Sequence, residues 1–162
     1  MKTVQKGFTL IELLVVIGIL AVLLAITLIA INPSRQFGQA NDTKRRSDAT
    51  QLLNAVGQYV SSNQGNLPAE LQTLRTGSPG VVTRINDANF DTLCAELAGD
   101  YLPAVPTDPT LNTSAGLDDA ACAVANWDTG YSVAVDANGR VTILAPLSYS
   151  QANAGPTIGV TR

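Results

Sequence analysis

Residues Phe8 to Ile31 read FTLIELLVVIGILAVLLAITLIAI, and only Thr9, Glu12, Gly18 and Thr27 among them are not plainly apolar. As a helix this stretch extends about 36 Å, enough to cross a hydrocarbon core of roughly 30 Å. It has no polar face, so it is not the surface helix of a soluble domain. It belongs in lipid or among other copies of itself. A secretory signal peptide fits poorly, because its apolar region runs roughly 7–15 residues and holds no carboxylate. A plain membrane anchor explains the length but not Glu12. A carboxylate at depth costs on the order of 2.5–3.5 kcal/mol on insertion scales, and less near the interface. Glu12 therefore either reaches lipid headgroups or has a partner of opposite charge.

The rest of the chain narrows the class. The protein has 162 residues, 46% hydrophobic and 14% charged, which excludes disorder throughout and leaves room for one domain plus an extra element. Its net charge of −3 argues against a general nucleic-acid-binding protein. There is no histidine, which removes histidine-based triads and the usual general base near neutral pH. Two cysteines cannot make a four-thiolate zinc site. No nucleophile, base and orienting group assemble from what remains, so the sequence predicts no enzyme.

The residues just before the apolar run carry a specific signal. Lys6-Gly7-Phe8-Thr9-Leu10-Ile11-Glu12, followed by an uncharged run from Leu13 to Ile26, resembles the class III signal of type IV prepilins and type II secretion pseudopilins. The resemblance implies that a membrane prepilin peptidase cuts between Gly7 and Phe8 and N-methylates Phe8. Residues 1–7 would be a leader. The mature chain would begin at Phe8, and losing Lys2 and Lys6 takes the net charge from −3 to −5. In such proteins the Glu at the position of Glu12 pairs with the terminal amine of a neighbouring subunit during assembly. A buried pair of this kind sets register between apolar helices that would otherwise slide. The partners implied are copies of the chain in a helical filament, the peptidase and methylase, and a pilus or secretion assembly platform. Lys2 and Lys6 precede the apolar run while Arg35, Lys44, Arg45 and Arg46 follow it, so the positive-inside count does not orient the segment. A cytoplasmic N-terminus, and a later extracellular or cell-surface location, come from the resemblance alone.

After the membrane segment (residues 8–31), Asn32-Pro33 interrupts the helix. Pro33 predicts a kink or short break, or else a fresh start with Asn32 as N-cap. Residues 32–64 then read as an amphipathic helix, with Ala49, Leu52, Leu53, Val56, Tyr59 and Val60 on one stripe. Gly65 and Pro68 fit its end. A continuous helix from Phe8 to Gln64 would reach about 86 Å. Tyr59 to Pro68 is similar to the helix end and turn of many pilins and pseudopilins. Lys44-Arg45-Arg46 reads as a solvated helix face with Asp42 and Asp48 as local partners. DNA or anionic headgroups are alternative ligands for that run, and an acidic head on a neighbouring subunit is a third.

Residues 65–162 form a head too small to bury much surface alone, so its core should include the stripe of the preceding helix. Leu71 and Leu74 predict a short helical turn closed by Gly77 to Gly80. Asn89 or Asp91 should cap a helix through Leu97, with Gly99 after it. Tyr131 to Val135 and Val141 to Ile143 alternate about Asp136-Ala137-Asn138-Gly139, and Asn-Gly is a strong hairpin signal. One or two further strands are expected around Val81–Ile85. The Gly-, Ser- and Asn-rich segment from Ser148 to Arg162 reads as a flexible tail. The expected fold is α+β and pilin-like, a long N-terminal helix packed against a small antiparallel sheet.

Cys94 and Cys122 would pair in an extracytoplasmic head, closing a loop worth roughly 3.6 kcal/mol in the entropy model. The alternative is two buried thiols. Asp118 and Asp119, with Asp108 and Asp128 nearby in sequence, are weak candidates for calcium, their spacing matching no EF-hand. No other metal or cofactor is expected. Asn41-Asp42-Thr43 and Asn112-Thr113-Ser114 match the glycosylation sequon, a pattern common by chance. The function these readings favour is a structural subunit of a type IV pilus-like filament. A pseudopilin of a type II secretion or DNA-uptake system is the alternative, and a single-span sensor or binding module a further one.

Overall fold

A computed structural model describes residues 7–30, 32–111, 116–153 and 157–162. The chain divides into two compact units, Met1–Gln36 and Phe37–Arg162.

In the first unit, α1 spans Leu10–Ala30. Leu10–Ile29 is long and apolar enough to cross a membrane. Its leucines, isoleucines and valines are all exposed. A second helix, α2, spans Pro33–Ser62. Asn32 Oδ1 accepts from the backbone N–H of Arg35 at 3.3 Å, and Pro33 occupies the first turn, where a missing N–H costs nothing. At the other end Gly65 N–H returns to the Val60 carbonyl at 2.8 Å, with Gly65 at φ +86°.

The second unit is α+β. After α2 come α3 (Ala69–Gly77), β1 (Thr83–Asn86), α4 (Leu93–Leu97), α5 (Asp119–Cys122), β2 (Asp128–Val135), β3 (Val141–Ala145), α6 (Tyr149–Ala152) and β4 (Ile158–Thr161). The four strands form one antiparallel sheet in the order β1-β2-β3-β4. The β2–β3 hairpin pairs Val135 with Val141, and its turn places Gly139 at φ +84° while Asp136 accepts from the N–H groups of Asn138 and Arg140. The stripe of α2 (Ala49, Leu52, Leu53, Val56) joins Leu71, Ile85, Phe90, Leu93, Tyr131, Val133, Val135, Val141 and Ile143 in a single core. Burying one such aliphatic or aromatic side chain is worth roughly 1.5–3 kcal/mol. The second half of α2 is therefore part of the head.

Two expectations need correcting. The segment from Ser148 to Arg162 is not a structureless tail. Ser148 caps α6 through its hydroxyl, and Ile158–Thr161 adds β4 to the sheet with Ile158 buried. Residues 154–156 lie outside the described residues. The N-terminus of α4 is capped by neither Asn89 nor Asp91. Instead the Glu70 carboxylate on α3 accepts from the N–H groups of Thr92 and Leu93 at 2.8 and 2.9 Å. A long-range carboxylate does the capping that a local side chain was expected to do.

Candidate functional site

The first site is the start of α1. Thr9 stands before the helix, and its N–H and Oγ1 both donate to Glu12 Oε2, at 2.8 and 2.7 Å. The Glu12 N–H returns to Thr9 Oγ1 at 3.3 Å. This reciprocal arrangement is a capping box, in which a Thr and the Glu three residues later satisfy each other's orphan donors. The pattern Thr-x-x-Glu before an apolar run was present in the sequence, and the cap it forms was missed there. Among the described residues, only Oε2 of Glu12 is engaged. Phe8 is 86% exposed, and a Cβ at Gly7 would have no neighbour within 4 Å, so the fold itself does not demand glycine there.

The second site is a buried ion network where α2 meets the head. Helical phase puts Gly38, Asp42, Arg45, Ala49, Leu52 and Val56 on one face, so the apolar stripe continues as a polar one toward the start of α2. Arg45 is 1% exposed and Asp108 is fully buried. The Arg45 guanidinium binds Asp108 in two-pronged fashion, Nε to Oδ2 at 2.7 Å and Nη2 to Oδ1 at 2.9 Å, while Nη1 binds Asp42 at 2.9 Å. Such forked pairs are among the stronger polar contacts in proteins. Asp42 also accepts from the backbone N–H groups of Tyr149 and Ser150, both at 2.8 Å, which ties α6 to α2. Asp48 accepts from the Tyr131 hydroxyl at 2.8 Å.

The electrostatics follow the partners. Burial raises the pKa of Asp108, but the Arg45 guanidinium and the Thr110 donors outweigh it and hold the carboxyl below the usual range. Asp42 is likewise raised by burial and brought below its usual value by the Ser150 and Tyr149 amides and by Arg45. Burial pushes Asp48 up, and the Tyr131 hydroxyl offsets only part of that. Tyr131 itself is raised by burial and by its bond to Asp48.

The reading of Lys44-Arg45-Arg46 as a solvated face is corrected by this geometry. Lys44 and Arg46 are exposed, but Arg45 faces inward and is used up by two carboxylates. The same network decides the packing at Gly38. A Cβ there would collide with the Tyr149 ring. Gly130 is required twice over, by φ +82° and by Asp108 Cβ lying 2.5 Å from where its own Cβ would be.

Cys94 on α4 and Cys122 on α5 are joined by a disulfide, and both are buried. Asp118 accepts from the Ala121 N–H at 2.8 Å and caps α5, while Asp119 lies in the first turn of that helix. Asp108 is held by Arg45 at 2.7 Å and Asp128 pairs with Arg84 at 2.8 Å. Among the described residues, no three potential metal ligands gather. Asn41 lies within α2, and Asn112 to Ser114 lie outside the described residues, as do residues 1–6 of the expected leader.

Residues 2–28 match the family model described as the prokaryotic N-terminal methylation motif. No curated protein and no solved structure matches the chain significantly. The segment is the class III signal shared by type IV prepilins and pseudopilins. That signal supports a type IV pilin-like or pseudopilin protein, and the match covers residues 2–28 alone. The signal and the apolar N-terminal helix fit a membrane-anchored precursor.

Proposed function

We propose that this chain is a structural subunit of a type IV pilus-like filament, with no catalysis and no cofactor of its own. The observation that carries the reading is the methylation motif running directly into a helix whose apolar side chains are exposed throughout. Such a surface is stable only in lipid or against like helices. In this reading prepilin peptidase cuts after Gly7, in a chain that enters the membrane with its N-terminus in the cytoplasm. The absence of any packing need for glycine at that position supports recognition as its reason. The new Phe8 ammonium then meets the Glu12 carboxylate of a neighbouring subunit. The capping box supports this step, because it holds Glu12 by one oxygen and leaves Oε1 for a cation. The head, fastened to α2 by Arg45, forms the filament surface.

N-terminal sequencing and mass spectrometry of protein sheared from cells test the proposal. Methylated Phe8 as first residue, in long fibres by electron microscopy, is the expected result. The same processed end in short assemblies confined to the envelope would instead indicate a secretion or DNA-uptake pseudopilin. An uncleaved, monomeric membrane protein would defeat both readings in favour of an anchored binding or sensor module.

A further inference from the structure

The head carries ten carboxylates and four arginines over residues 65–162. In so acidic a surface an arginine should find a carboxylate, and two do. Arg84 pairs with Asp128 and Arg140 with Asp136. Among the described residues, Arg75 and Arg162 have no ion-pair partner, and both line the same cleft of about 970 Å³. The cleft runs between the last turns of α2, α3 and the turn before β3. Arg75 Nη1 lies 3.5 Å from where a Cβ would stand at Gly139. The Arg162 backbone pairs with Val141, and its Nη1 reaches across to Asn54 Oδ1 at 3.3 Å.

The remaining wall is mixed, with Leu53, Val56, Val60, Leu67 and Val141 at its apolar side and a polar edge beside the arginines. From exposed positions of α2, Gln58 presents an amide and Ser61 an accepting hydroxyl oxygen, its proton given to the Gly57 carbonyl at 2.8 Å, and Tyr101 offers an aromatic ring packed against Tyr59. Among the lining side chains one carboxylate, Asp100, stands beside the two arginines. Protein interfaces are anchored on apolar or aromatic residues seated in well-packed pockets. The large apolar residues most exposed on the head, Phe37, Val81, Val82 and Val124, all lie outside this cleft. Its volume exceeds what a lone ion needs and falls in the range of clefts that hold small organic ligands.

We propose that this cleft binds an acidic saccharide, with Arg75 and Arg162 forked onto its carboxylates and the α2 side chains on its hydroxyls. Calorimetric titration of the full-length protein in detergent micelles with oligogalacturonate tests it, with neutral maltooligosaccharide and inorganic phosphate as comparison probes. Oligogalacturonate should bind, the neutral sugar should not, and added salt should weaken binding. The double variant Arg75→Gln, Arg162→Gln should lose about tenfold or more in affinity, while Arg140→Gln should lose none. Should the double variant not fold, Gln58→Glu at an exposed helix position puts a competing carboxylate in the cleft and should give the same loss. Equal binding of the neutral sugar, equal binding of phosphate, or undiminished affinity in these variants overturns the proposal. Loss of self-association alone, with no oligogalacturonate bound by the parent protein, assigns the cleft to a second copy of the chain and equally overturns it.

Discussion

The guanidinium of Arg45 on α2 is clasped by the carboxylate of Asp108 at 2.7 and 2.9 Å, and both side chains are sealed from water. This pair, with Asp42, fastens the helix to two head segments far along the chain. Removing Arg45 leaves two buried carboxylates without their cation. Arg45→Ala should therefore cost about 3–5 kcal/mol. Denaturant unfolding followed through Trp127 fluorescence measures it, and a loss below about 1 kcal/mol would show that the network does not hold the head. The double variant Arg45→Met, Asp108→Leu should recover much of the loss, since replacing both charges is far cheaper than removing one.

Acid should release the same network. Asp108 and Asp42 sit below their usual value of 3.8, so each contributes stability above that pH, lost as pH falls through its folded value. Asp48 runs the other way. Burial raises its pKa, so its contribution is full when it is protonated and is lost as pH rises through that raised value. The groups facing Asp108 are Arg45 and Thr110, with Asp48 adding a weaker repulsion. Stability measured against pH should fall below about pH 4, and Asp108→Asn should flatten that acid limb. An unchanged limb in Asp108→Asn would rule out the assignment.

At Gly38 the Tyr149 ring occupies the space of any side chain. Gly38→Ala should cost about 1–3 kcal/mol through overpacking. In a Tyr149→Ala background the same change should become neutral or stabilising by up to about 1 kcal/mol, because alanine is the better helix former. Thermal melting of the four proteins of this cycle supplies the numbers, and additive effects would mean that the ring does not touch the helix.

The Cys94–Cys122 bond closes a loop over a sequence separation of 28. Replacing both cysteines with alanine should lower stability by about 3.6 kcal/mol in the entropy model. Alkylation before and after reduction, read by mass spectrometry, should show two thiols only after reduction. Two alkylated thiols in unreduced protein isolated from the cell exterior would refute the bond.

Glu12→Val should leave membrane insertion intact and reduce filament yield, since it removes the charge but not the apolar run. Thr9→Val is the informative companion, because it removes the hydroxyl from the capping box and keeps the carboxylate. Its filaments, counted by electron microscopy, should be reduced less than those of Glu12→Val. Normal yield from Glu12→Val would remove Glu12 from assembly.

What could be read from the residues depended on how local the signal was. The apolar run from Phe8 and the Asn138-Gly139 hairpin announce themselves by composition and period. The stripe from Ala49 to Val60 did so by spacing. Arg45 did not, because its neighbours Lys44 and Arg46 look identical in sequence and only helical phase separates the buried one from the two exposed. Extending the stripe backward from Ala49 through Arg45 and Asp42 to Gly38 would have found it. The Glu70 cap of α4 joins residues more than twenty apart, and no local pattern encodes it. In the last strand Ile158 and Val160 alternate as a strand should, but Gly155, Pro156 and Gly159 around them hid the signal.

Because the lower half of α2 roofs the sheet, anyone wishing to prepare the head free of detergent has little freedom in choosing where to begin. A fragment started at Gly65, where composition changes, would leave Tyr131, Val133 and Ile143 open to water and orphan Asp108. One started just ahead of Gly38 discards the greasy anchor yet keeps every residue that the sheet leans on.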